Sequence, residues 1–357
     1  MKEEKEALRV VSLFSGCGGL DLGLHMAQNP NYKYQTIWAN DCFKEACDTF
    51  DKNFSIKIDR RDVWDVDFNK IPDCDVIVGG FPCQNFSVLS KRQGIGVKNG
   101  LLFKRLADAI ATKNPKFFIA ENVKGLKSAN NGEAFRIIKE TFERAGRFGY
   151  DVFTDVVKFV EHGVPQNRER LIFVGFRKDL GMIDFKFPKP TVNQPVTAKE
   201  AFEKPIPVER ILHNNEKQRM ADRTVKMLRV IPPGGNYLDL KGKKDEEGNS
   251  LEVKGLMSGI YKRLHPDQSA YTVIAGGGGG TWGYHYAEPR ILTNRERARL
   301  QSFPDNFIFE GNISTVRKQI GNAVPPLGIK AIAEQILHTF SKLDAPIEKV
   351  PQIILES

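Results

Sequence analysis

No uninterrupted apolar run in this chain approaches the roughly 18–20 residues that a membrane-spanning helix requires. The opening segment MKEEKEALRVV carries acidic residues where a secretory leader would be apolar, so neither membrane insertion nor secretion is expected, and the cytoplasm is. Cysteine is scarce. Cys17, Cys42, Cys47, Cys74 and Cys83 all lie in the first quarter, and five is an odd number in a long chain, which argues against a disulfide framework and for a reducing compartment. No C-x-x-C or H-x-x-x-H pair completes a zinc site, so no metal is expected. Internal repeats and long low-complexity segments are also missing. What is there is ordinary globular composition: 357 residues, 41% hydrophobic, 27% charged, with 53 Lys+Arg against 44 Asp+Glu for a net charge of +9. That excess suits a polyanionic partner without proving one.

The first half repeats one pattern: a short apolar, β-branched run, a polar or Gly-rich cluster, then an amphipathic stretch. The runs are Val10–Phe14, Gln35–Ala39, Ile56–Ile58, Asp75–Val78, Phe117–Ala120, Phe153–Phe159 and Leu171–Phe176. Leu102, Phe103, Leu106, Ala109 and Ile110 share one helical face, as do Phe135, Ile138 and Phe142. Strands alternating with helices predict an α/β fold, a mostly parallel sheet covered on both faces. From about Phe187 the pattern stops. A Pro- and turn-rich stretch runs to about Tyr286, with a charged tip KGKKDEEGNS at 241–250 and five consecutive glycines at 276–280, and reads as a smaller irregular domain. Helical character returns toward the end, with an amphipathic helix near Gly328–Phe340. The expected division is 1–187 for catalysis and cofactor, 188–300 for target recognition, and 301–357 as a return segment packing back on the first part.

The polar clusters at the ends of these runs carry the chemistry. SGCGG comes after the first, Asn40-Asp41 after the second, Arg61-Asp62 after the third, GGFPCQ after the fourth and Glu121-Asn122 after the fifth. Ligands of open α/β sheets sit beyond the carboxyl ends of the strands, so these clusters are expected to converge on one crevice. The Gly-rich turn Phe14–Gly19 brings backbone close to a ligand and aims a helix N-terminus at it; a tight connection with no ligand is the plainer alternative. It is not a phosphate-binding Walker loop, because no Gly-Lys-Ser/Thr comes after it. Nor is it G-x-G-x-x-G, because the third glycine position is Asp21. Asp41 is placed to take ribose hydroxyls, and Asp62 to accept from an adenine amino group. An adenosine-containing cofactor without a pyrophosphate signature fits, and S-adenosylmethionine is one. Cys83 comes after a strand and a rigid Phe-Pro step, a context for an exposed thiol, against the alternative of a small buried residue. Glu121 reads as an acid or a plain ion-pair partner, and Arg168 and Arg170 as a functional pair or a solvated basic edge.

Together these clusters resemble the cytosine-5 DNA methyltransferases, in that family's order and over most of the chain. FSGCGGLDLG is similar to the cofactor motif, GGFPCQNFS to the Pro-Cys motif, ENV to the glutamate motif and QNRER to the paired-arginine motif. Next comes a variable region, then RILTNRERARLQSFP and QIGNAVPP, which resemble the two closing motifs. The resemblance implies a Rossmann-like S-adenosylmethionine-dependent methyltransferase sheet with a smaller target-recognition domain. It implies Cys83 as nucleophile at cytosine carbon 6, Glu121 at ring nitrogen 3, and Arg170 with Arg168 at the base carbonyl and neighbouring phosphate. The implied cofactor site is Phe14, Gly16, Cys17, Gly18, Gly19, Asp41, Asp62, Val63, Pro82 and Leu102, with Asn322 and Val324 returning from the chain end.

The loop Ser87–Gly100 would close over double-stranded DNA, Thr272-Val273 and the glycine run would read bases, and Arg290–Arg299 would brace the small domain or touch phosphates. A monomer is implied, marking a short site that a separate restriction endonuclease would otherwise cut. The sequence departs from the family pattern at Asn99-Gly100, where Arg-Gly is common, shifting a phosphate contact to Lys98, and at Cys42, where an aromatic often stacks on adenine and Trp38 or Phe43 would replace it. Two alternatives compete with this resemblance. A tRNA cytosine-5 methyltransferase would carry a Cys-Phe-Thr motif, yet no cysteine occurs after Cys83. A non-catalytic nucleic-acid-binding relative would usually lose the Pro-Cys or Glu-Asn pair, and both are intact.

Overall fold

The computed structural model describes residues 5–82, 101–255, 259–276 and 283–343. The chain opens β1 (Glu6–Leu13), α1 (Gly19–Met26), β2 (Tyr32–Asn40), α2 (Lys44–Asn53), β3 (Val76–Gly80), α3 (Leu102–Lys113) and β4 (Phe117–Val123). It continues through α4 (Glu133–Glu143), β5 (Tyr150–Lys158), β6 (Gln166–Asn167) and β7 (Glu169–Arg177). Six of these strands form one sheet in the order β2-β1-β3-β4-β7-β5. The first four run parallel, whereas β7 lies antiparallel to both β4 and β5. Successive side chains of a strand face opposite sides, and the core divides accordingly. Val10, Val76, Val78, Phe117 and Ile119 pack under α1 and the C-terminal helix, while Val11, Ile77, Phe118 and Ala120 pack under α3 and α4. Both faces being covered explains why β3 and β4 read as continuous apolar runs.

One expected strand is not formed. Ile56–Ile58 is not a strand, and only Asp59 just beyond it makes an isolated bridge, to Asn40; the segment is pinned at single points, Asp59 N donating to Ala39 O at 2.8 Å and Ile58 N to Asp51 Oδ1 at 2.9 Å. The run around Phe153 is a strand only to Lys158; Phe159 begins a 3-10 turn.

Beyond β7 the chain is irregular, carrying α5 (Ala198–Glu203), α6 (Asp222–Val230) and the two-residue β8 (Ala270–Tyr271), which pairs with β6. Three helices close the chain: α7 (Asn294–Leu300), α8 (Ile313–Asn322) and α9 (Pro326–Leu343). An apolar cluster joins Ala198, Phe202, Leu264 and Val273 to Ala298, Leu300, Phe303, Val316 and Ile320, so residues on both sides of 300 share one core. A second cluster, with Met227, Leu228, Ile231 and Leu240, stabilises the stretch around α6. The last helix returns to the first: Ile329, Ile332 and Ile336 pack with Leu20 and Leu24, and Tyr34 Oη donates to Ala333 O at 3.1 Å. Among the described residues no helix is long and apolar enough to cross a membrane.

Candidate active site

The carboxyl ends of β1, β2, β3 and β4 open onto one cavity of about 570 Å³. Its wall starts at the turn after β1, where Phe14 adopts a left-handed φ of 54°, a conformation uncommon for a bulky residue and tolerated mainly at functional turns. The reversal lets Ser15 N donate to Asn40 O at 3.1 Å and Gly16 N donate to Asp41 Oδ2 at 2.9 Å. Asp41 Oδ1 also accepts from Phe43 N at 2.8 Å. Burial raises the Asp41 carboxyl while these backbone donors pull it down. Asp62 Oδ1 accepts from Trp64 N at 3.0 Å, capping a 3-10 turn that presents Trp64 to the cavity.

On the other side, Glu121 at the end of β4 pairs with Arg170 of β7, Oε1 to Nε 2.8 Å. Desolvation pushes the Glu121 carboxyl above its usual range, and the guanidiniums of Arg170 and Arg168 offset this only in part. Asn122 is buried, and its Nδ2 donates to Phe81 O at 2.9 Å. That bond ties the Glu-Asn pair to the peptide entering Pro82. Cys83 and the loop Ser87–Gly100 lie outside the described residues, as do residues 277–280 of the glycine run and the two that come after them.

The sequence pattern of C-5 cytosine-specific DNA methylase matches residues 8–338. The chain belongs to that family. The Type II methyltransferase M.NgoFVII of Neisseria gonorrhoeae is 47% identical over 93% of this chain and 87% of that protein. The Type II methyltransferase M.BbvI of Brevibacillus brevis is 43% identical over 94% of this chain and 92% of that protein. The solved structure of a prophage-encoded E. coli protein matches with a TM-score of 0.67 at 24% identity, over 94% of this chain and 99% of that one, a likeness that concerns fold alone. This methylase is thus an enzyme with the α/β architecture of its class.

Of the residues predicted for its cofactor site, Phe14, Gly16, Cys17, Gly19, Asp41, Asp62, Val63, Pro82, Leu102, Asn322 and Val324 line the cavity, with Glu121, Arg168 and Arg170. Gly18 does not. It is the N-cap of α1 at φ 88°, and an added Cβ would stand 2.3 Å from the Phe54 ring, so its smallness serves helix packing instead. Burial pushes the Cys17 thiol up to about 12, leaving it a neutral wall atom. Of the two aromatics expected to replace one at position 42, Phe43 lines the cavity, with Lys318 Nζ 4.6 Å above its ring; Trp38 packs against the core beneath the sheet and is not in the wall. Trp64 and Lys318 were missed by sequence reasoning, one an aromatic in a polar loop and the other a lysine on a helix with no motif of its own.

Arg168 is placed differently from Arg170. It is buried, and its guanidinium donates to three carbonyls: Val273 O at 2.8 Å, Gly321 O at 3.0 Å and Ala323 O at 3.1 Å. These belong to the irregular region before residue 300 and to the cavity wall at the end of α8. The two come close enough that a Cβ on Gly321 would lie 2.1 Å from Ala275 N. Beside this joint a smaller cavity of about 380 Å³ shares Val123, Arg168 and Arg170 with the first and is bordered by Lys124, Lys158 and Thr272. The arginines of 290–299 are bracing groups, not solvated charges. Arg290, Arg295, Arg297 and Arg299 are all buried, and Arg299 pairs with Asp305 at 2.8 Å while donating to Ala201 O, Phe202 O and Ile206 O.

Proposed function

We propose that this methylase transfers a methyl group from S-adenosylmethionine to carbon 5 of a cytosine flipped out of a short specific site in double-stranded DNA, through a transient Cys83 adduct. The observation that carries the reading is the Glu121–Arg170 pair, 2.8 Å apart in the same cavity as the Asp41–Asp62 wall and Pro82. The donor set fits the cofactor. Two carboxylates suit ribose hydroxyls and the adenine amino group, the rings of Phe14, Phe43 and Trp64 suit an adenine face, and a volume near 570 Å³ is in the range of small-molecule sites. When bound, S-adenosylmethionine supplies an electrophilic methyl carbon attached to a sulfonium.

The protein's own groups do the rest. The Cys83 thiolate adds to carbon 6 and makes carbon 5 electron-rich, splitting one hard step into easier ones. Glu121, whose burial favours the protonated acid, hydrogen-bonds ring nitrogen 3 and stabilises the charge that develops there. Arg170 orients Glu121 and reaches the base carbonyl oxygen. After methylation, loss of the carbon 5 proton restores the double bond and expels the Cys83 thiolate. Flipping the base costs a few kcal/mol, recovered in the pocket. Arg168, its two terminal nitrogens engaged by carbonyls, acts as a positioning residue between the recognition region and the cofactor wall. The Type II relatives favour a role in the cytoplasm protecting DNA against a separate restriction nuclease.

The test is incubation with S-adenosylmethionine and mixed-sequence duplex DNA, then sequencing for 5-methylcytosine. Methylation confined to one short motif is expected; cofactor binding without methylation would reject the reading. Cys83→Ala should abolish turnover and keep duplex binding, whereas loss of binding would make Cys83 structural.

A further inference from the structure

Asp21 has no part in the methyl-transfer steps, yet it is a fully buried carboxylate one hydrogen bond behind the cofactor wall. Its Oδ2 accepts from Ser12 Oγ at 2.9 Å and its Oδ1 from Thr36 Oγ1 at 3.1 Å. Ser12 in turn faces Ser15, whose single hydroxyl hydrogen is taken by Ser12, with the hydroxyl oxygen at 2.8 Å and the carbonyl oxygen at 3.1 Å. Both serines line the cavity, and Ser15 is its inner rim. Each hydroxyl of the chain therefore points inward, toward Asp21, and Ser15 Oγ is left with lone pairs only for whatever occupies the cavity. The carboxylate is held by hydroxyl groups and by the first turn of α1, and the groups acting on it include no cation. Such a charge is costly to bury, because nothing beside it neutralises the negative potential it projects.

We propose that Asp21, acting through Ser12 and Ser15, is a specificity-determining positioning residue that biases the cavity toward a cationic occupant, so that the methyl-bearing sulfonium is held in preference to the neutral thioether left after transfer. The inference rests on the S-adenosylmethionine reading and deepens it. Donor and product share their adenosine and amino-acid parts and differ by one methyl group and one positive charge, so a fixed buried negative charge behind the cavity wall acts on the difference between them. The arrangement favours exchange of spent for fresh cofactor without any moving part. Burial pushes the Asp21 carboxyl up to about 6, so at pH 8 it is ionised.

Titration calorimetry on the whole protein at pH 8 tests this, using S-adenosylmethionine and S-adenosylhomocysteine as separate ligands with wild type and Asp21→Asn. Removing the charge should weaken S-adenosylmethionine roughly tenfold relative to S-adenosylhomocysteine. Ser12→Ala, which cuts the relay but keeps the carboxylate, should shift the same ratio less and in the same direction, and it serves if Asp21→Asn fails to fold. If both affinities change by one factor, or neither changes, Asp21 is structural and the inference is overturned while the cofactor reading stands. If wild type binds neither ligand, the cofactor reading fails and takes this inference with it.

Discussion

At Glu121 two effects oppose each other. Loss of water disfavours the carboxylate, and Arg170 at 2.8 Å favours it; the balance leaves the acid easier to protonate than a free glutamic acid. In the proposed mechanism Glu121 both takes its orientation from a guanidinium and donates to a ring nitrogen, and that balance serves both tasks. Glu121→Gln keeps the shape and removes the transferable proton. Single-turnover methylation should fall about 100-fold or more, with cofactor affinity nearly unchanged; a rate within threefold of wild type would remove Glu121 from the chemistry.

Asp21 lends itself to a second residue-scale test, in stability. Its carboxyl is raised from 3.8 to about 6 in the folded protein, so between those values the native state holds a proton the unfolded chain has lost. Stability is therefore fullest below the unfolded value and declines as pH rises through the folded one. Asp21→Asn and wild type should differ least below about pH 4, with the variant gaining relative to wild type up to about pH 7, by roughly 3 kcal/mol at most. His25, whose Nε2 lies 3.0 Å from Thr36 Oγ1, titrates in both proteins and cancels in the difference. Chemical denaturation of both across pH 4–8 measures it, and a flat difference would mean that the carboxyl is not strained by burial.

Among the elements, the parallel strands were legible because burial on both faces leaves a signature, such as Val76-Ile77-Val78, that few other structures require. Direction was not legible. Leu171–Phe176 is the same kind of apolar run, and nothing local to it says that β7 lies antiparallel between β4 and β5. The start of α7 was written in the sequence as Thr293-x-x-Glu296, a reciprocal cap that the structure forms. For its arginines the sequence left bracing, phosphate contact and a solvated face open, because charged residues at close spacing normally mark a solvated face, and only the tertiary arrangement supplies the carbonyls that satisfy Arg295 and Arg299. The physical consequence is that these charges stabilise the joint between the small region and the closing helices. Arg299→Ala would leave Asp305 and three carbonyls without their donor, and should cost about 3–5 kcal/mol in urea unfolding. A loss below 1 kcal/mol would show that water replaces the guanidinium freely.

For the molecule as a whole, convergence of the site was predictable, since the sheet alone dictates where clusters at the ends of β1, β2, β3 and β4 must meet. The joint at Arg168 was not, because its three acceptor carbonyls come from residues 273, 321 and 323, more than a hundred positions away. That joint places the irregular region before residue 300 against the wall of the larger cavity and leaves Lys124 and Lys158 beside the smaller one. Both lysines are largely exposed and paired only at the surface, with Glu169 and Glu161. A phosphate backbone passing here would exchange those weak pairs for its own charges and release condensed counterions. Duplex affinity should then fall at least tenfold, roughly, between 50 and 200 mM salt, with a linear dependence of log K on log salt concentration. Lys158→Gln should weaken every duplex sequence alike and reduce that slope by about one, leaving the methylated motif unchanged. Binding titrations at four salt concentrations decide it. An unchanged slope in the variant would place the backbone elsewhere, and a salt-independent wild type would remove polyanion neutralisation as a source of binding.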